Sequence, residues 1–335
     1  MVTLRDVAER AGVSPAVVSA AISGRSGNVR MSEATRQRVN EAIRETGYRV
    51  NHAARSLRTA RTGVVSAVVP KLSNPVFEHV IRGIQDQVSS DGGVLMLADA
   101  EWLTPDSHLL TRLAARGMTD GFLVRRAQLG DDTIDALEAM QVPCVVLAGP
   151  DGTHPSVWVD DRAGIRCATS HLLALGHRRI ALVGGLQLPA GRSDSRLLGF
   201  HDAFAEAGVA ASADLHRPVG YAHPDIRRAV TELLATEQPP TAIVADNVTV
   251  APAVYFALAE AGLRVPEDVS VVAYHDIATV DMMWPPLTTV RMPLREAGAQ
   301  AARMLTTLIE GERAGGTILE GGAELVARSS TAPPA

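Results

Sequence analysis

Cysteine occurs only twice in these 335 residues, at Cys144 and Cys167, so the disulfide framework that staples small secreted domains is excluded. Long apolar runs are missing as well. Hydrophobic residues make up 46% of the chain, but Arg, Asp and Gly interrupt them before the ~18–20 consecutive positions that a membrane helix needs. The opening MVTLRDVAERAGV carries two acids and two arginines where a secretion signal requires a bare apolar stretch. These shortages point to a globular cytosolic protein with reduced thiols and no membrane partner. With ~100–200 residues per domain, the chain has room for two or three.

Lysine is nearly absent, Lys71 being its one occurrence, so the abundance of arginine is a chain-wide preference and does not by itself signal phosphate recognition. Its distribution says more. The formal net charge is −5, yet residues 1–63 hold eleven Arg against five Asp or Glu, a net of +6, which leaves −11 for residues 64–335. A basic head on an acidic body is the electrostatic footprint of a small module that meets phosphate, the plainer alternative being a solvated charged face.

The head reads as three short helices. Leu4, Val7, Ala8 and Ala11 recur at helical spacing. Gly12 allows a tight turn, Val13 plugs the gap, and Ser14-Pro15 is an N-cap before a favoured first-turn residue. The second helix, about Pro15 to Ile22, buries Val18 and Ile22 and turns Ala16, Ser19, Ala20 and Ser23 outward. Two helices joined by a glycine turn, with small Ala8 at the crossing, form a helix-turn-helix. Ser32 caps a third helix, with Val39, Ala42 and Ile43 on one face, and Gly47 ends it.

From Val64 the pattern changes to apolar strands alternating with amphipathic helices: VVSAVV and a helix from Pro75 to Ser89, VLMLA and a helix from Pro105 to Arg116, GFLV and a helix near Asp131 to Met140, then CVVLA. After Asp160-Asp161 the cycle repeats, with IALVG, TAIVA and VSVVAY as strands. Such alternation means parallel sheets covered on both faces, and two runs of it imply two doubly wound lobes with a ligand in the crevice at the strands' carboxyl ends.

Doubly wound lobes also make enzymes, but no GxGxxG opens a helix after a strand and no GxxxxGK[ST] occurs, so neither nucleotide fingerprint is present. Cys167 and His171 lie four apart on an expected helix, and two ligands do not make a metal site. His177-Arg178-Arg179 follows Gly176 at a helix end and is expected to cap its carbonyls. No Ser-Gly elbow argues for nucleophilic catalysis. Expectation therefore falls on a binding protein without cofactor or metal.

The strings VTLRDVAERAGVSPAVVS, SEATRQRVNEAIRETGYRVN, HLLALGHRRIALVGG, LRVPEDVSVVAYHDI, PPLTTVRMP and ELVARSSTA, in this order and spacing, resemble the lactose-repressor (LacI/GalR) family of bacterial transcription regulators over nearly the entire chain. The resemblance implies an α/β protein with an all-α helix-turn-helix head (residues 1–50), a hinge helix (51–63) and a two-lobed, doubly wound, periplasmic-binding-protein-like sensor (64–335). The N-lobe would comprise about 64–161 and 292–322, the C-lobe about 162–291 and 323–335. It further implies ligand-controlled transcription, usually repression, by a homodimer on a pseudo-palindromic operator in double-stranded DNA. A solute-binding protein or an enzyme on the same two lobes is the alternative; the basic head and the missing signal peptide argue against the first, the missing catalytic fingerprints against the second. The tail TAPPA lacks leucine heptads, so no tetramer bundle is expected.

The resemblance places Pro15, Ala16 and Ala20 against the bases, and alanine reads little beyond a thymine methyl. Ser14, Ser19, Ser23, Ser32, Thr35 and Arg36 are expected as phosphate anchors. The loop from Gly24 to Arg30 is about three residues longer than the family norm, and it leaves two readings open: Arg25 and Arg30 reach phosphates or the groove edge, or the loop is simply solvated. Residues 51–60 could form two helical turns, too short to be stable alone. In the family the corresponding helix pairs in the minor groove and wedges a leucine between base pairs. Leu57 holds that position, with Asn51, Ala54, Arg55 and Arg58 around it, and Val50 stands where proline is common. A plain linker with Leu57 covering the body is the other reading.

For the effector, Arg196 matches the gripping arginine, and Asp246 and His275 match two further polar contacts at strand ends. Leu72, Asn74, Phe77, Arg125 and Tyr221 are expected wall residues. Ala148 and His275 stand where carboxylates often receive sugar hydroxyls, and Ala245-Asp246-Asn247 replaces the usual Ala-Asn-Asp. A pocket that loses acceptors but keeps two arginines is expected to take a carboxylate or phosphate, against the alternative of a neutral sugar held by other residues.

Overall fold

The computed structural model describes residues 2–23, 31–48, 61–102, 108–125, 131–147, 154–185, 194–319 and 321–335. Arg25, Arg30, the five hinge residues Asn51, Ala54, Arg55, Leu57 and Arg58, and Ala148 lie outside this set.

The head consists of α1 (Leu4–Ala11), α2 (Pro15–Ser23) and α3 (Glu33–Thr46). Thr3 and Asp6 form a reciprocal capping box on α1, and Gly12, left-handed at φ 64°, closes it. Ser14 Oγ accepts from the Val17 amide at 3.4 Å at the start of α2. Val7, Ala8, Ala11, Val18, Val39 and Ala42 make the core, with Val13, Ile22, Ile43 and Tyr48 partly buried around it. Arg10 Nε donates to Glu45 at 2.7 Å and ties α1 to α3.

The body is built on two main sheets. Strands β1 (Val64–Val69), β2 (Val94–Asp99), β3 (Gly121–Val124) and β4 (Cys144–Val146) form an all-parallel sheet in the order β2-β1-β3-β4. A second sheet holds β6 (Ile180–Val183), β7 (His216–Arg217), β8 (Ala242–Ala245), β9 (Ser270–Tyr274), β10 (Thr288–Arg291) and β12 (Glu324–Val326) in the order β12-β10-β9-β8-β6-β7. Only the edge strand β12 runs antiparallel. The small pair β5 (Val157–Val159) and β11 (Thr317–Leu319) forms a third sheet, which the strand pattern did not announce. Strands β3, β6, β8 and β9 are buried along their whole length, as continuous apolar runs in parallel sheets require.

Helices α4 (Val76–Ser90), α5 (Leu109–Ala115), α6 (Asp131–Ala139), α7 (Asp161–Ala174), α8 (Ser195–Glu206), α9 (His223–Leu234), α10 (Ala251–Glu260) and α11 (Leu294–Ile309) cover the sheets. Late α11 returns to lie against early α4. A Cβ on Gly83 would overlap the Arg295 carbonyl and one on Gly298 the Val80 carbonyl, so the two backbones touch where both side chains are absent. Among the described residues no helix is long and apolar enough to cross a membrane.

Two local expectations change. The helix expected from Pro105 begins at Leu109, because His108 before it is left-handed (φ 45°) and a helix cannot propagate through that conformation. Of the trio at 177–179, only Arg178 caps α7 with its side chain, donating to Leu173 O at 3.0 Å, while the His177 main-chain amide donates to Leu172 O at 3.1 Å. Gly176 (φ 102°) turns the chain inward, and His177 is buried against Thr241 Oγ1 (2.8 Å), Ser270 Oγ (3.2 Å) and Ala332 O (2.8 Å), pinning the C-terminal segment to the sheet. Arg179 donates to Gln238 O and faces Asp214.

Candidate functional site

Residues just beyond the carboxyl ends of β3, β5, β8 and β9 supply side chains that lie close to one another, as ligand groups do in doubly wound folds. Arg125 follows β3, Asp161 opens α7 two residues after β5, Asp246 follows β8 and His275 follows β9. Arg196 is the second residue of α8, whose cap Asp194 accepts the Arg196 amide at 2.9 Å. Tyr221 lies between β7 and α9.

Arg196 organises the group. Its Nη1 donates to the Asp246 main-chain oxygen at 3.0 Å and stands 3.4 Å from Asp246 Oδ2 and from Tyr221 Oη. Its Nε is 3.5 Å from Asp161 Oδ2, and its guanidinium lies 5.0 Å from the Tyr274 ring centre. Tyr274 donates to Asp161 Oδ1 at 2.6 Å. Burial opposes charge on Arg196, but the two carboxylates outweigh it and raise its pKa well above the usual value. Asp161, despite burial, is lowered by Arg196, with the Tyr274 hydrogen bond and Arg125 adding to the effect. Burial dominates at Asp246, pushing it up to about 6, and at His275, pulling it down to about 3.

Three polar atoms in this group are sealed from solvent without a hydrogen-bond partner: Arg125 Nε, Asp246 Oδ1 and His275 Nδ1. Asp246 is 1% and His275 4% exposed. Such atoms each cost ~1–3 kcal/mol when unsatisfied, so their clustering is a functional signature. His275 is held left-handed at φ 72°, an uncommon conformation for a residue with a side chain. Gly184 (φ 108°) lets Asp246 pack where it does, since a Cβ there would overlap Asp246 Oδ1.

Phe77, Arg125, Arg196, Tyr221, Asp246 and His275 are thus brought together, with the Arg125 guanidinium 5.8 Å from the Phe77 ring centre. Leu72 and Asn74 lie in the segment between β1 and α4, Leu72 exposed with its amide on Asp99 (2.9 Å) and Asn74 Oδ1 accepting from the Val76 amide at 3.1 Å. Asn247 likewise serves its own turn, accepting from Thr249. Asp161 and Tyr274 were missed by sequence reasoning. The paired Asp160-Asp161 at the crossover and a tyrosine closing a buried strand were the available signals. Elsewhere, Asp135, Glu138 and His154 bring ligand atoms within 4.8 Å of one another, with His154 Nε2 on Glu138 at 3.0 Å.

In the head, Ser14, Pro15 and Ala16 are exposed, and Ser19 and Ala20 are half-buried on the same helix. Ser32 Oγ caps α3 through the Thr35 amide (3.2 Å) and pairs with Thr35 Oγ1 (2.9 Å), while Arg36 is exposed beside them. The Ser23 backbone closes α2 and its side chain lies outside the described residues.

Comparisons with known proteins bear on both regions. Residues 3–51 match the model of bacterial regulatory proteins of the lacI family, and residues 169–331 match that of a periplasmic binding protein-like domain. The chain is 32% identical over 335 residues to the HTH-type transcriptional repressor PurR of Aliivibrio salmonicida, covering 98% of this chain and 99% of that protein. It is similar to the lac repressor dimer bound to operator and the anti-inducer ONPF, with a TM-score of 0.76, 27% identity and 99% of each chain covered. A LacI family transcriptional regulator from Enterococcus faecium with bound ribose superposes with a TM-score of 0.71 at 29% identity, covering 81% of this chain and 99% of that one.

Proposed function

The chain belongs to the lacI family of bacterial regulatory proteins, and from that premise we propose that it is a transcriptional repressor, not an enzyme, whose grip on a pseudo-palindromic operator is set by a small molecule in the inter-lobe cleft. It acts in the cytoplasm as a homodimer, at the nucleoid when bound to DNA. The head spans 1–50, the hinge 51–63 and the sensor 64–335, with the lobes divided near 161, 291 and 322. Pro15, Ala16 and Ala20 face the bases, Ser14, Ser19, Ser23, Ser32, Thr35 and Arg36 meet phosphates, and Arg25 and Arg30 extend that contact. Leu57 wedges the minor groove, flanked by Asn51, Ala54, Arg55 and Arg58. Phe77, Arg125, Arg196, Tyr221, Asp246 and His275 bind the effector, with Leu72 and Asn74 at its rim.

The observation that carries this reading is the convergence of three sealed, unpartnered polar atoms, Arg125 Nε, Asp246 Oδ1 and His275 Nδ1, at the strands' carboxyl ends. A bound ligand would satisfy all of them. Pairing of protomers is supported by the apolar surface at Met282 (83% exposed) and Trp284 (91% exposed), which Tyr255 Oη joins to α10 through the Pro285 carbonyl at 3.1 Å. Two-fold symmetry then matches two half-sites, because one short helix reads too few bases.

The test is selection of duplex DNA from a randomised pool by the full-length protein, followed by displacement with candidate effectors. A two-fold-related pair of half-sites should be enriched, and at least one small molecule should shift its affinity. A pool that stays random after repeated rounds overturns the proposal.

A further inference from the structure

Four charged side chains meet in the cleft, and three of them answer one another. Arg196 stands against both Asp161 and Asp246, and Tyr274 takes the other oxygen of Asp161. Arg125 is different. Among the described residues it makes no ion pair within contact distance, its Nε is sealed without an acceptor, and its guanidinium stands over the Phe77 ring, with Asp161 a more distant carboxylate already engaged by Arg196 and Tyr274. Burial, and then the positive charge of Arg196, work against its ionised form and outweigh the opposing pull of Asp161. An arginine in that position stays cationic, and taking a cation from water without a counter-charge is far more costly than burying a neutral group.

Resting on the cleft as the effector site, we propose that the effector is a small hydroxylated anion, its carboxylate or phosphate held by Arg125 beside His275 and a hydroxyl donating to Asp246 Oδ1. The unpartnered atoms define that chemistry. Arg125 Nε is a donor, Asp246 Oδ1 an acceptor, and His275 Nδ1 either one according to its tautomer. A neutral sugar supplies acceptors to Arg125 but no charge. A carboxylate or phosphate supplies both, in the planar two-point geometry that guanidinium matches best. The hydroxyl is required because a bare anion would leave Asp246 Oδ1 as it is and would face its charge.

Calorimetry on the full-length protein separates the cases, with D-glucuronate and glucose 6-phosphate as anionic probes and glucose and ribose as neutral ones. One anionic probe is expected to bind roughly 100-fold tighter than glucose, the scale on which a buried charge pair is lost on truncation. Arg125→Gln should remove that margin, weakening the anionic probe far more than the neutral sugars; the carboxylate and phosphate arms tell the two acids apart. Thermal unfolding in acetate or inorganic phosphate against chloride, at equal ionic strength, adds a reading that needs no correct sugar. Wild type should show a saturable rise in Tm that Arg125→Gln lacks. Absence of that rise, an equal rise in the variant, or a neutral sugar bound best by both proteins overturns the anion. Arg196→Gln, checked for folding by its circular dichroism, is the control for the site itself. A neutral sugar whose binding needs Arg196 but not Arg125 removes the anion and keeps the effector site, whereas binding indifferent to both removes the site.

Discussion

Arg196 donates to the main-chain oxygen of Asp246 at 3.0 Å while standing 3.4 Å from its Oδ2, so one guanidinium fixes a strand end and the carboxylate that follows it. That contact does not hold the carboxylate in its ordinary range, since burial still lifts Asp246 to about 6. His275 is depressed by burial to about 3. The two shifts act on stability with opposite signs. Asp246 binds its proton in the fold before the unfolded chain does, so between pH about 4 and 6 its contribution falls as pH rises. His275 is protonated first in the unfolded chain, so over the same window its contribution grows with pH. Asp246→Asn should therefore make urea-derived stability climb with pH more steeply than in wild type, by up to ~1.4 kcal/mol per pH unit between pH 4 and 6. His275→Asn should tilt the profile the other way. Profiles parallel to wild type in both variants would place the titrations elsewhere.

Asp120 holds the entry to the body. Its Oδ1 accepts from Thr62 N (2.6 Å) and Thr62 Oγ1 (2.8 Å), its Oδ2 accepts from Gly63 N (2.8 Å), and Arg61 donates to Ile309 O at the end of α11 (2.8 Å). Any displacement of the β1–β4 lobe therefore reaches the chain leading to the head. With Asp120→Ala that transmission should weaken. Effector affinity should stay nearly constant while the ratio of operator affinities with and without effector shrinks several-fold, a typical coupling being worth ~1–3 kcal/mol. Fluorescence anisotropy on labelled operator, with and without saturating effector, measures both, and an unchanged ratio refutes the role.

Much of this organisation is visible in the sequence because the physics behind it is local. The runs IALV and AIVA read as buried parallel strands, whereas Arg125, Asp246 and His275, at strand ends, are marked only by the resemblance to the lactose-repressor family. What escapes is set by distant partners. Asp161 matters through Arg196 and through Tyr274, 113 positions away. His177 looked like a cap because its neighbours in sequence are arginines, yet Gly176 turns it toward Ser270 and Ala332. The turn that Asn74 Oδ1 serves through the Val76 amide was equally unannounced.

Met282 and Trp284 are large apolar side chains left in water, which a lone protomer has no reason to retain together. Replacing both, Met282→Glu with Trp284→Arg, should convert the dimer to monomers in sedimentation velocity while the thermal transition of each lobe persists. Operator affinity should drop steeply, since each half-site is then bound alone. A dimer that survives the pair of charges would locate the interface on another face.

Leu57 is the one large apolar side chain within the basic stretch NHAARSLRTA, as the wedge reading requires. Because a wedge acts by unstacking bases and not by charge, Leu57→Ser should lower operator affinity roughly tenfold, within the ~1–3 kcal/mol that a single recognition contact contributes, and leave effector binding nearly intact. Its salt dependence supplies the discrimination. The slope of log K against log salt counts phosphates neutralised, so Leu57→Ser should shift the line without tilting it. Arg36→Ala, which removes a proposed phosphate contact, should flatten the slope by about one unit. A Leu57→Ser line that coincides with wild type would leave the leucine as a cover for the body, and one that tilts would tie the stretch to the phosphates instead of the base step.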